Sequence, residues 1–187
     1  MNKMSKKLTR GISREFAEAF KKCELYKLYQ NYKDELYLGV RNESLNLYYN
    51  CDSIPEIRYD KRTRQIVCKI DKYYLDGIHY EGGAKEKIYK TDPTEICQKI
   101  DLIKYNSDHQ SDTIKNQKKE KKAQSKLVLL NNANKDSHWY CVDIEYKKGF
   151  PSKAERMEAD FDGRFDIIAL SKATPHRLAI IELKYGS

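Results

Sequence analysis

Two short apolar runs, Arg164–Leu170 and Arg177–Lys184, constrain this chain more than any other feature. Each is nearly continuous in apolar residues, the pattern of a strand covered on both faces. Each also carries charge that such a strand should avoid: Asp166 in the first, Glu182 and Lys184 at the end of the second. Ser171–His176, with Pro175 inside it, is the turn between them. In an antiparallel pair, a turn centred near 173–174 sets Asp166 opposite Glu182, with Cα atoms about 4.5–5.5 Å apart. Side chains alternate along a strand, so Glu182 and Lys184 point the same way. Two carboxylates and an ammonium are expected on one face.

A third strand-like run, Trp139–Tyr146, precedes these two. Tyr140, Val142 and Ile144 alternate there against Cys141, Asp143 and Glu145. The connection from Lys147 to Gly163 is centred near 155–156, which sets Glu145 opposite the other side of Asp166. Acids crowded at the ends of apolar strands repel one another and are costly to desolvate. A hard divalent cation, Mg²⁺ with Mn²⁺ as its substitute, resolves that conflict. It takes oxygen ligands at about 2.0–2.1 Å and keeps several waters. It polarises a phosphate oxygen and lowers the pKa of a bound water. A lysine two residues on offsets charge in the transition state.

Asp166, fifteen intervening residues, then Glu182-Leu183-Lys184 resembles the PD-(D/E)XK nuclease superfamily, over about Glu120 to Gly186. The resemblance implies an α/β core around a small mixed sheet and Mg²⁺-dependent cleavage of phosphodiesters in DNA, ahead of RNA, in defence, restriction or repair. It implies Asp166 and Glu182 as metal ligands and Lys184 as the catalytic lysine. Glu145 is taken as the further catalytic acid and metal ligand on its register, with Glu120 as the helical alternative. Phe165 stands where the family carries proline. The sequence stops three residues after Lys184, where the family core continues with a helix and a strand. The expectation is half of a restriction-endonuclease-like core, completed by a C-terminal segment or by a second copy in a homodimer. The alternative function is a catalytically inactive module that binds nucleic acid or a protein.

The basic run Lys115–Lys126 holds six lysines and one acid, within a formal net charge of +8. Such an excess favours polyanions through counterion release. Lys115, Lys118, Lys119, Lys121, Lys122 and Lys126 are the candidate nucleic-acid contacts; the competing reading is a solvated helix face. The helix should span about Thr113–Leu130, with Ala123, Leu127 and Leu130 on its buried side.

Upstream, residues 13–36 read as one helix with Ile12, Phe16, Phe20 and Cys23 on a stripe. Residues 37–89 read as hairpins, with turns at Asn42-Glu43 and Lys61-Arg62-Thr63 and a break at Gly82-Gly83. Asp92-Pro93-Thr94-Glu95 starts a helix by cap, preset φ and capping box, and Ile96, Ile100 and Ile103 mark its face to about Asn106. The class is therefore α+β or α/β: an N-terminal helix and hairpins, then a helix and a three-stranded sheet. The boundary falls in 106–112. Residues 1–106 form a recognition or interaction domain and 107–187 the nuclease-like one.

Fifteen tyrosines against one tryptophan suit half-buried sheet faces. Five cysteines with no close pair argue against a zinc knuckle or a disulfide framework, and point to a reducing, cytoplasmic setting. No apolar stretch approaches a membrane span, and the basic N-terminus lacks a signal-peptide core. The four histidines share no ligand spacing, and Glu81-Gly82-Gly83-Ala84 lacks the lysine of a phosphate loop. Glu158, Asp160 and Asp162 read as the rim of a loop.

Overall fold

The computed structural model describes residues 10–109, 115–147 and 164–184. The loop acids Glu158, Asp160 and Asp162, and the side chains of Lys115 and Lys118, lie outside what is described.

Ser13 caps α1 (Arg14–Lys22) by accepting from the Phe16 N–H. The expected single helix instead breaks at Cys23, whose extended backbone separates α1 from α2 (Glu24–Asn31). Packing explains the break. In one straight helix Leu25 would point about 140° away from Phe20. With the break, Phe16, Phe20 and Leu25 all reach the same core.

The hairpins follow as β1 (Leu36–Val40), β2 (Leu45–Tyr49), β3 (Asp52–Asp60) and β4 (Gln65–Asp71). Then come α3 (Lys72–Asp76), α4 (Ala84–Lys87), β5 (Ile88–Thr91), α5 (Pro93–Gln98) and α6 (Ile100–His109). The five strands form one antiparallel sheet in sequence order. Both expected turns are present. A third joins β2 to β3 through Asn50 and Cys51, both at positive φ (47° and 62°). That turn usually takes glycine, which is why no turn signal was visible there. The register shifts between Asn46 and Tyr48, facing Pro55; a proline inside a sheet has no N–H to give the ladder and sits at such irregularities. The Asp92 cap and Pro93 start α5 as expected, but the helix stops at Lys99 and resumes as α6, which runs on to His109. Leu45, Leu47, Ile54, Ile57, Cys68 and Ile70 pack against α1, α2, α5 and α6. On the sheet's other face Tyr37 and Tyr48 pack into a second core, and Ser53, Glu56, Lys69, Asp71 and Lys90 are polar.

The second part is α7 (Lys115–Ala133) and the antiparallel sheet β6 (Trp139–Lys147), β7 (Arg164–Ser171) and β8 (Leu178–Ile181). The protein is thus mixed α+β with two separate sheets. Helix α7 buries Gln124, Ser125 and Val128, with Leu127 partly covered. The expected stripe is corrected: Ala123 is exposed, and so is Leu130, at 59 %. The helix packs over backbone groups of the sheet that need hydrogen bonds, so polar residues occupy its inner side. Gln124 donates to the Asp166 carbonyl at 2.6 Å. Asn132 exchanges two bonds with the Cys141 backbone, at 2.8 and 3.0 Å.

A bulge at Val142 shifts the register of β6 against β7. The expected alternation along β6 breaks there: Cys141, Asp143 and Ile144 are all buried. Cys141, Ile144, Ile167 and Ala169 join Val128 of α7, Tyr48 of β2 and Cys51 of the β2–β3 turn in this second core. The opposite face is apolar and open, with Tyr140, Leu170, Leu178 (62 % exposed) and Ile180 (52 %) in adjacent register. Among the described residues, no helix is long and apolar enough to cross a membrane.

Candidate functional site

The register inferred from turn positions is the one observed. Ile167 pairs with Ile181, which puts Glu182, the residue after β8, opposite Asp166. Ile144 pairs with Ile167 and Tyr146 with Phe165, which puts Glu145 opposite Asp166 on the other side. Three acids therefore stand abreast on three neighbouring strands.

Their side chains do not form one metal-holding cluster among the described residues. Asp166 Oδ2 accepts the Leu183 N–H at 2.7 Å, two residues beyond the end of β8. Glu182 and Lys184 are exposed. Glu145 has a left-handed backbone, φ 52°, which departs from strand alternation, and its side chain lines a cleft that Asp166 does not. Among the described residues, no three His, Cys, Asp or Glu side chains are grouped closely enough to hold a metal ion.

The cleft has a volume of about 1110 Å³ and lies between the polar face of the five-stranded sheet and the β6–α7 side of the second. Its floor carries Ser53, Glu56, Lys69, Asp71 and Lys90; its far wall carries Arg10, Arg41, Lys121 and Glu145. Gly39 keeps the β1 surface low beneath Tyr48: a Cβ there would meet the Tyr48 ring at 3.0 Å.

Arg41 clamps this wall. It donates to Asp143 Oδ1 at 2.5 Å, to the Tyr48 hydroxyl at 2.8 Å and to the Ile144 carbonyl at 3.0 Å. Arg10 forms an ion pair with the other Asp143 oxygen and lies 4.5 Å over the Tyr146 ring. Burial, and then the charge of Arg41, lower the pKa of Arg10. The clamp grips β6 on both sides of the strained Glu145.

Lys121 reaches the cleft from α7 and donates to Asp52 at 2.8 Å, while Ser107 donates to the other Asp52 oxygen at 2.8 Å. Burial alone would lower the Lys121 pKa; the Asp52 hydrogen bond and the charges of Asp52 and Glu145 outweigh it and leave it raised. Lys122 pairs with Asp108 at 2.7 Å. Asp108 also accepts from the Tyr49 hydroxyl at 2.8 Å. Burial first, and that bond second, push the Tyr49 hydroxyl up to about 12. Two of the six lysines thus tie α7 to the first part, while Lys119 and Lys126 are exposed. Glu120, the alternative helical acid, is half-buried.

Sequence reading missed Arg10, Arg41, Cys51, Asp52 and Asp143. Only the acid run Asp143–Glu145 hinted at them, because their partners are remote in sequence. Burial, and then the charge of Glu145, push the Cys51 thiol well above its ordinary range. Compared with protein-family models, curated proteins and solved structures, the chain matches none.

Proposed function

We propose that this protein is a metal-dependent nuclease of the PD-(D/E)XK type that hydrolyses phosphodiester bonds of nucleic acid. One observation carries the reading: Glu145 and Glu182 both stand opposite Asp166, across adjacent strands. Such an edge of oxygen donors suits Mg²⁺, which needs only one or two protein carboxylates and fills the rest of its shell with water and substrate phosphate. Asp166 and Glu182 would hold it, with Glu145 a further ligand. The metal would supply a polarised phosphate oxygen and an acidified water. Lys184, two residues past Glu182, would neutralise charge developing on the phosphate. Glu145 makes no hydrogen bond or ion pair among the described residues, so its carboxylate is open to a ligand.

The test is cleavage of plasmid, single-stranded DNA and RNA with Mg²⁺ or Mn²⁺. Glu182→Gln and Lys184→Ala should each lower the rate by about 100-fold or more, and EDTA should stop it. A second reading is favoured by the hydrogen bond that occupies Asp166 and by the lack of a three-acid cluster among the described residues. On that reading the module binds without cutting. Folded protein that cleaves nothing with either metal would establish it against the nuclease.

A further inference from the structure

On the cleft floor, Lys69 and Lys90 stand directly opposite each other on β4 and β5. Like charges in opposed positions repel, a cost that an anion over them removes. Glu56 lies opposite Lys69 on β3, but its carboxylate is 4.0 Å from that ammonium and is held at 2.6 Å by Arg58. Among the described residues Lys90 has no carboxylate partner. Across the cleft, Arg10 and Arg41 share the single carboxylate of Asp143, which leaves one positive charge over. The other lining acids are engaged within the fold: Asp52 by Lys121 and Ser107, Asp71 as the cap of α3. Glu145 makes no hydrogen bond or ion pair among the described residues, though its charge reaches Lys121. Uncompensated cations therefore stand on both sides of a slot that ends on one of the three abreast acids.

The size of the slot sets what can enter. Duplex nucleic acid takes about 3.4 Å of rise per base pair, and over a diameter of roughly 20 Å each pair fills on the order of 1000 Å³. A cleft of about 1110 Å³ would be filled by a single pair, whereas it seats about two unpaired nucleotides.

We infer that the cleft is the track for a single strand of nucleic acid, its phosphates between Lys69 and Lys90 on one side and Arg10 and Arg41 on the other. This rests on the nuclease reading for its direction, since the strand runs toward Glu145. Recognition is of backbone charge, so DNA and RNA single strands share the chemistry, and the two are separate arms of the test.

The experiment is fluorescence anisotropy of a short labelled oligonucleotide in EDTA, so that no cleavage occurs. Single-stranded DNA or RNA should bind about tenfold more tightly than the matching duplex. Lys69→Gln with Lys90→Gln should weaken single-strand binding about fivefold and flatten its log–log salt slope by about 1.4, for two lost contacts. If the double variant does not fold, Lys90→Gln alone, at an exposed position, should flatten it by about 0.7. Duplex binding as tight as single strand, an unchanged salt slope, or equal affinity for polyglutamate would each overturn the track. Binding that follows these rules in a protein that cuts nothing with Mg²⁺ would sink the nuclease and leave the track standing. Cleavage by a protein whose cleft variants bind unchanged would do the reverse.

Discussion

The five-stranded sheet buries one face under helices and turns polar residues of the other to the cleft, while the three-stranded sheet is apolar on both faces and, among the described residues, is covered on only one. The first has the pattern of an antiparallel sheet that meets water on one side. The second has the composition of a doubly covered sheet, with cover on one face among the described residues. Side chains of equal hydrophobicity should thus be worth very different amounts in the two regions. The acids do not follow that division. Asp52 and Glu56 of the first sheet are paired by lysine and arginine, and Asp143 of the second is paired by two arginines. Glu145, beside Asp143, makes no ion pair among the described residues.

The largest effect should come from the first core. Phe16 is fully buried against Tyr59 and its neighbours. Phe16→Ala should cost about 3–5 kcal/mol in urea unfolding. A cost near that of a surface change would mean α1 is dispensable to the sheet. The two faces of the second sheet give the sharper test. Ile167→Ala, on the covered face, should cost about 2–4 kcal/mol, and Ile180→Ala, on the open face, less than about 1. Equal costs would show that the open face is covered in solution.

A smaller effect belongs to the contact between the two parts. Lys121→Met leaves the buried Asp52 carboxylate with Ser107 as its hydrogen-bond donor. Because Lys121 is partly exposed, solvent screening reduces the loss to about 1–2 kcal/mol. Adding Asp52→Asn should then cost less than Asp52→Asn alone, and a double-mutant cycle measures the coupling. Additive costs would mean the pair does not join α7 to the β2–β3 turn.

The last effect is nil at neutral pH. Burial pushes the Cys68 thiol up to about 12 and the Cys97 thiol up to about 11, from ordinary values of 9.0. Between those limits the unfolded chain loses thiol protons that the folded chain keeps. Stability should therefore be intact below about pH 9 and fall as pH rises toward 12. Denaturation midpoints across that range check it, and Cys68→Ala should make the fall shallower.

Much of the second sheet was legible. The turn at Ser171–His176 and the spacing of apolar runs were enough to set Asp166 against Glu182 and Glu145, because antiparallel pairing is a counting problem once the turn is located. The Asp92-Pro93 start of α5 was legible for a similar reason: capping is local. The break at Cys23 was not, since only the need to bury Leu25 calls for it. Nor was the bulge at Val142, where the residues alternate without a flaw.

What the sequence determined by itself was therefore local and periodic: most of the strands and longer helices, though not the short helices α3 and α4 inside the stretch read as hairpins, which residues face which across a short turn, and the α+β class. Tertiary structure decided where the side chains of the site go. The left-handed turn at Glu145, the use of Asp166 to hold the Leu183 N–H, and the capture of Lys121 by Asp52 all depend on partners distant in the sequence or on backbone strain. A hydrogen bond or ion pair between remote residues leaves no periodic trace in either. It is settled by the packing of one sheet against the other, which is where the cleft and its charges arise.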